Sequence, residues 1–207
     1  MLDKFIEKHN DLLVCKEEIN SAYQLLCECY SSGGKVLIAG NGGSSSDAEH
    51  IVGELMKGFL LKRELKEEER NTLVALDETK GKYLEKHLQG ALPAISLSSH
   101  SSLTTAISND VNGDMIFAQQ VQGYGRKGDV FLALSTSGNS RNVVLAAIVA
   151  KAKGMKVIGL TGAGGGELAQ KADVCIKAPS KETYEIQEYH IVIYHFLCLM
   201  LEKTFFE

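Results

Sequence analysis

Apolar residues Leu2, Phe5, Ile6, Leu12, Leu13, Ile19, Ala22 and Leu26 recur at helical spacing, which predicts one or two amphipathic helices over residues 2 to 30. Ser31-Ser32-Gly33-Gly34 ends them. The pattern then changes to short unbroken apolar runs: Val36-Leu37-Ile38-Ala39, Ala94-Ile95-Ser96-Leu97, Val130-Phe131-Leu132-Ala133-Leu134, Val157-Ile158-Gly159-Leu160 and Val174-Cys175-Ile176. Helical patterns separate most of them. One runs from Asn142 to Lys153, with Gly154 as its C-cap. Strands that are apolar on both sides and alternate with helices predict an α/β fold, with a parallel sheet covered on both faces. The last helix is predicted from about Lys181 to Lys203. Its second half is apolar nearly all round and should be buried, with another subunit as one candidate cover.

One segment breaks this rhythm. Eight of the nine residues from Lys62 to Arg70 are charged, and a second polar stretch, Asp77 to Gln89, leads up to Pro93. Residues 62–92 therefore read as a solvated helical insertion, the sharper alternative being a lid or a subunit contact. The chain, 1–207, reads as one domain with residues 1–32 as an N-terminal helical segment.

Composition narrows the function classes. Hydrophobic residues make up 44% of the chain, enough for a sizeable core, and the net charge of −4 argues against a broad nucleic-acid surface. Five cysteines form no CxxC pair and lie in apolar settings, which predicts reduced, buried thiols in place of a zinc-thiolate site. Met1-Leu2-Asp3-Lys4 is no signal peptide, and the run Ile191 to Leu201 is too short to span a bilayer. The expectation is a cytoplasmic protein with neither a membrane nor a nucleic-acid partner.

Candidate chemistry gathers at strand ends. Gly40-Asn41-Gly42-Gly43-Ser44-Ser45-Ser46 follows the first strand and opens a helix, where backbone N–H groups and the helix dipole favour an anion. Ser135-Thr136-Ser137-Gly138-Asn139-Ser140 repeats that placement after the third strand. An ordinary N-cap turn would use the same residue types. Together the two loops favour a phosphate at the carboxyl ends of the strands. No GK[ST] follows either loop, and Glu167 stands where the last glycine of a dinucleotide fingerprint belongs, so Gly162 to Glu167 reads as a turn. His50 and Glu54 share a helix face at i, i+4, a spacing open to joint metal coordination or to a simple hydrogen bond. The last helix adds Gln187, Glu188, His190 and His195.

These pieces together resemble the sugar isomerase (SIS) family, and within it the phosphoheptose isomerases. The matching elements are Gly40-Asn41-Gly42-Gly43-Ser44, Asp47-Ala48-Glu49-His50 with Glu54, Asn109-Asp110, Gly128-Asp129-Val130, Ser135 to Ser140, Gly154-Met155-Lys156-Val157, and Ile186-Gln187-Glu188 with His190 and His195. They cover nearly the whole chain apart from roughly residues 62–92. The resemblance implies a three-layer α/β/α sandwich with a flavodoxin-like, five-stranded parallel sheet. It implies a homotetramer with active sites between subunits. It implies interconversion of sedoheptulose 7-phosphate and D-glycero-D-manno-heptose 7-phosphate for surface-glycan precursors. On matching positions, zinc would be held by His50, Glu54, Gln187 and His195. Substrate would be contacted by Asn41, Gly42, Gly43, Glu54, Asn109, Asp110, Ser135, Thr136, Ser137, Ser140 and Gln187. Glu54 and His195 would be the acid/base pair.

The resemblance carries a tension and leaves rivals. Gln187 and His195, eight residues apart, would stand about 12 Å apart along one helix and about 80° around it. A helix start near Gln187 or a neighbouring subunit would relieve that stretch. One rival is a non-catalytic SIS protein that binds the bacterial replication initiator. That group lacks the carboxylate and terminal histidine found here as Glu54 and His195. Another is an isomerase of a different phosphosugar, since the charged insertion departs from the typical heptose isomerase.

Overall fold

The computed structural model describes residues 1–207. Strands β1 (Val36–Ala39), β2 (Ala94–Ser96), β3 (Val130–Leu134), β4 (Lys156–Gly162) and β5 (Val174–Ala178) form one sheet in the order β2-β1-β3-β4-β5. Every neighbouring pair is parallel, with Leu37 level with both Ile95 and Phe131. This is the flavodoxin-like order, whose connections reverse direction between β1 and β3.

Both sheet faces carry a core, which is why the strands lack polar alternation. Val36, Ile38, Leu132, Leu134, Ile158 and Leu160 pack against helices α2 (Lys16–Ser31), α3 (Gly43–Met56) and α10 (Thr183–Phe206). On the other face Leu37, Ala39, Phe131, Ala133 and Val157 meet α7 (Ile116–Tyr124), α8 (Arg141–Ala152) and α9 (Gly166–Lys171). Two helices, α1 (Leu2–Lys8) and α2, account for the N-terminal pattern, with a 3-10 turn at Asn10–Cys15 between them. Helix α6 (Ser101–Ile107) adjoins α7. Cys15, Cys29 and Cys198 are buried and the other two thiols are half-buried, all five free. No helix is long and apolar enough to cross a membrane.

The insertion is a hairpin of α4 (Glu67–Leu76) and α5 (Glu78–His87), whose principal contacts are with each other. Gly81 is the point of close approach, because a Cβ there would strike the Leu73 backbone. Asp77 caps α5 by accepting the Lys80 N–H at 2.8 Å. Most of the charges are solvated, as the sequence predicts. Arg63 is the exception. It is fully buried, and its partner Glu202 is buried with it.

His190 also proves to be a core residue. Its Nε2–H donates to the Thr161 carbonyl at 3.3 Å, while Nδ1 is buried without a partner. Burial pushes its pKa down to about 4. The folded state therefore binds fewer protons than the unfolded state between pH 4 and the ordinary histidine value near 6.5, so His190 costs stability as pH falls through that window. In urea denaturation from pH 7 to pH 4, His190→Gln should escape on the order of 3 kcal/mol of the acid loss seen in the wild type. Parallel stability curves for the two proteins would contradict this assignment.

Candidate functional site

The two polar loops lie at the carboxyl ends of adjacent strands. The β1 loop leads into α3 on one face, and the β3 loop leads into α8 on the other. That is the topological switch point, where the diverging connections leave a crevice. Local chemistry shapes each loop. Gly42 has φ +57°, and a Cβ at Gly40 would press on Ser44 at 2.6 Å, so neither position accepts a side chain without strain. In the second loop Ser135 Oγ donates to Ser140 Oγ at 2.9 Å, and the Asn139 N–H donates to Ser137 Oγ at 3.1 Å. Asn41 and Asn142 exchange two amide hydrogen bonds, of 2.9 and 3.0 Å, which staple the loops across the crevice. The Gly162–Glu167 segment does turn, and α9 starts inside it at Gly166. It forms a wall of the second loop: Gly138 lies flush on the Gly165 carbonyl, and the Glu167 N–H donates to Asn139 Oδ1 at 2.9 Å.

A second group of residues lines the contact between α3 and α10. His50 Nε2 stands 3.3 Å from Glu54 Oε1. The His195 ring meets the His50 ring edge-on, with centroids 4.9 Å apart, and Phe59 covers its other side at 5.6 Å. His50 Nδ1 lies 2.9 Å from the Tyr194 hydroxyl, which donates to Asp47 Oδ1 at 3.4 Å. Burial, reinforced by the Asp47 charge, drives the Tyr194 pKa well up, so the phenol keeps its single proton. With that proton on Asp47, His50 must carry its own on Nδ1. This leaves Nε2 as the ring nitrogen that faces Glu54. Burial and the neighbouring His50 lower the His195 pKa, which keeps that imidazole neutral near pH 7.

Glu54 Oε2 and His195 Nε2 are buried without hydrogen-bond partners. Two imidazoles and a carboxylate are donor chemistry suited to zinc. The site does not preassemble as a cage, however, because no three His, Cys, Asp or Glu groups are gathered around one point. Gln187 is elsewhere. It lies in the second turn of α10, and its amide fills the space beside Gly43. Helix α10 is continuous from Thr183 to Phe206, so no break near Gln187 brings it toward His195. Asn109 donates to Asp110 at 2.8 Å on an exposed π-helical segment, Ser108–Asn112. That segment leads to Asp114, which pairs with Arg141 at 3.0 Å beside Ser140.

Sequence reasoning assigned no roles to Tyr194, Asp47, Arg63 or Glu202. Asp47 carried a usable signal, because it lies three residues before His50 on the same helix. Tyr194 did not, since an aromatic in an apolar run reads as core.

The fold and loops define an α/β protein with two polar, glycine- and serine-rich loops facing each other at a sheet switch point. The chain belongs to the SIS domain family, whose profile matches residues 10–89 and 86–162. A phosphoheptose isomerase of Aneurinibacillus thermoaerophilus is 41% identical over 179 residues, covering 86% of this chain and 77% of the relative. Two solved structures share the fold over 97% of this chain and 94% of their own. They are a phosphoheptose isomerase from Francisella tularensis (TM-score 0.79, 31% identity) and phosphoheptose isomerase GmhA from Neisseria gonorrhoeae (TM-score 0.76, 32% identity).

Tyr194→Phe removes one hydroxyl that serves both His50 and Asp47. It should cost about 1–3 kcal/mol in denaturant unfolding at neutral pH, because buried polar groups lose their partner. An unchanged midpoint would show that the hydroxyl is not the link between them.

Proposed function

We propose that the protein is a phosphoheptose isomerase, interconverting sedoheptulose 7-phosphate and D-glycero-D-manno-heptose 7-phosphate for heptose-containing surface glycans, in the cytoplasm. The observation that carries this reading is the row formed by Glu54 beside His50 and His50 beside His195, in a fold whose loop end presents hydroxyl-rich turns. The same row favours an isomerase over a non-catalytic initiator-binding relative, which has no need of it.

The chemistry follows from the groups present. A carboxylate at Glu54 takes a proton from C1 of the ketose. The electron pair forms the C1–C2 double bond as the C2 oxygen takes a proton from the His195 imidazole, giving an enediol. His195 then recovers a proton from O1–H as the C1 carbonyl forms, and Glu54 returns its proton to C2. His195, neutral at its lowered pKa, serves as hydrogen-bond donor to the oxygen on which charge develops. Backbone N–H groups and hydroxyls of Ser135, Thr136, Ser137 and Ser140 hold the phosphate, whose binding energy orients the reacting end. Asn41, Gly42 and Gly43 line the sugar side of the crevice, with Asn109 and Asp110 beyond.

Zinc is the cofactor this reading calls for, held by His50, Glu54 and His195, with Gln187 as a fourth ligand. When bound it would supply Lewis acidity at the sugar oxygens. The assembly we propose is a homotetramer with shared sites. Its support is the separation of Gln187, against Gly43, from His195, against His50, along one uninterrupted helix.

Glu54→Gln should lower kcat for sedoheptulose 7-phosphate by about 10²–10⁴-fold, and chelation should lower wild-type turnover reversibly, with zinc restoring it. Full turnover in Glu54→Gln would reject the base assignment. In addition, mixing Glu54→Gln chains with Gln187→Ala chains should regain activity in hybrid assemblies, because some shared sites would then be intact. If hybrids stay as inactive as their parents, each site is built from a single chain.

A further inference from the structure

We propose that Arg63 and Glu202 form a positioning clamp that fixes Glu54 and Phe59 in the site, and that this clamp works independently of the α4–α5 hairpin attached to it. The proposal rests on the reading of Glu54 as a reacting group.

The geometry is specific. Helix α3 ends at Met56, two residues after Glu54, because Lys57 turns to extended backbone. The last carbonyls of a helix lack partners within it. Arg63 supplies them: Nη2 donates to the Glu54 carbonyl at 2.7 Å and Nη1 to the Leu55 carbonyl at 2.6 Å. Its Nε donates to Glu202 Oε1 at 2.8 Å, and its guanidinium lies over the Phe206 ring at 4.7 Å. Glu202 also accepts the backbone N–H groups of Phe59, Leu60 and Leu61 at 2.7, 2.8 and 3.1 Å. Burial alone would push its pKa up; these donors and Arg63 reverse that and keep it ionised. Both partners are fully buried, and a buried ion pair persists where its hydrogen bonds are complete. One end of the clamp thus holds the backbone of Glu54. The other holds the backbone of Phe59, whose ring covers His195.

The hairpin hangs from the same residue. The Gly90 N–H donates to the Arg63 carbonyl at 2.8 Å, and the Gly58 N–H donates to Gln89 Oε1 at 2.6 Å. The neck is therefore closed without residues 64–88, and those residues are dispensable for the clamp.

The test compares three proteins by kinetics and by hydrogen-exchange mass spectrometry without substrate: Arg63→Lys, the double variant Arg63→Met/Glu202→Met, and a deletion of residues 64–88 bridged by a short glycine linker. Lysine keeps the charge but lacks the fork that reaches two carbonyls and Glu202 together. The double variant removes both charges, which guards against a fold lost to one unpaired buried ion. For both substitution variants the expected result is a kcat lower by about 10–100-fold with KM within about twofold. Exchange over residues 52–61 should rise about tenfold or more, with β3 unchanged. The deletion should keep wild-type kcat and wild-type protection at 52–61. The clamp is overturned by substitution variants with wild-type kcat, by unchanged exchange at 52–61, or by exchange that rises equally across the sheet. If the wild type does not turn over sedoheptulose 7-phosphate, the isomerase reading fails by itself. In that case the exchange data decide the clamp: protection at 52–61 that depends on Arg63 but not on the hairpin upholds it, and any other pattern overturns it.

Discussion

Helix α3 lies alongside α10, and the two run in the same direction. Parallel strands dictate this arrangement. Helix α3 leaves the carboxyl end of β1 and α10 leaves the carboxyl end of β5, so both start at the same edge of the sheet and descend the same face. Their contacts therefore advance in step: Gly43 with Gln187, Asp47 and His50 with Tyr194, His50 with His195, then the end of α3 with Glu202 through Arg63. Each rung fixes the next. The opposite face contributes through α8, whose first residues join the β1 loop by the paired amides of Asn41 and Asn142.

This arrangement separates tasks that a compact site would merge. The anion binding we propose belongs to the helix starts at the sheet edge, where N–H groups and hydroxyls cluster. The proton chemistry we propose belongs further down α3, where Glu54 is largely buried and fixed partners orient the His50 ring, which itself stays 47% exposed. The Asp47–Tyr194–His50 chain is an example. The phenol engages Nδ1 of His50, and so fixes Nε2 as the nitrogen that Glu54 faces. Placing that control on apolar helix faces costs little flexibility, because Tyr194 is almost wholly buried.

The fold was legible in the sequence to a large degree because its signals are local. Strands buried on both faces must be apolar throughout, so β1 and β3 stand out at their observed bounds. Parallel sheets also require helices between strands. Edges were less legible: β4 and β5 extend beyond their apolar runs, since Lys156 and Lys177 pair through backbone groups while their side chains reach solvent. Of the candidate site, His50 and Glu54 were readable because i, i+4 geometry needs no tertiary information. The Tyr194 link was not, because it joins residues 144 positions apart. Arg63 was hidden more thoroughly. It sits in a run of charges that average to a solvated surface, and nothing in that run distinguishes the one guanidinium facing inward. Only the distant Glu202, unexpected in an apolar helix, hinted that a cation was needed nearby.

Distances along the helices bear on how many chains make one site. From Gly43 to Glu54 the axial rise is about 16 Å, and from Gln187 to His195 about 12 Å. A fully extended heptose phosphate spans roughly 10 Å, given carbon–carbon bonds near 1.5 Å. Helical side chains lean toward the N-terminus, so the Glu54 carboxylate recovers part of the gap. It does not recover the sideways displacement to Ser135–Ser140, which lies beyond β1. A metal confined to one chain would have to choose between Gln187 and His195. Both separations run along the helix axes. The shared sites we propose would meet that spacing by bringing the His50–Glu54 end of one copy to the loop end of another.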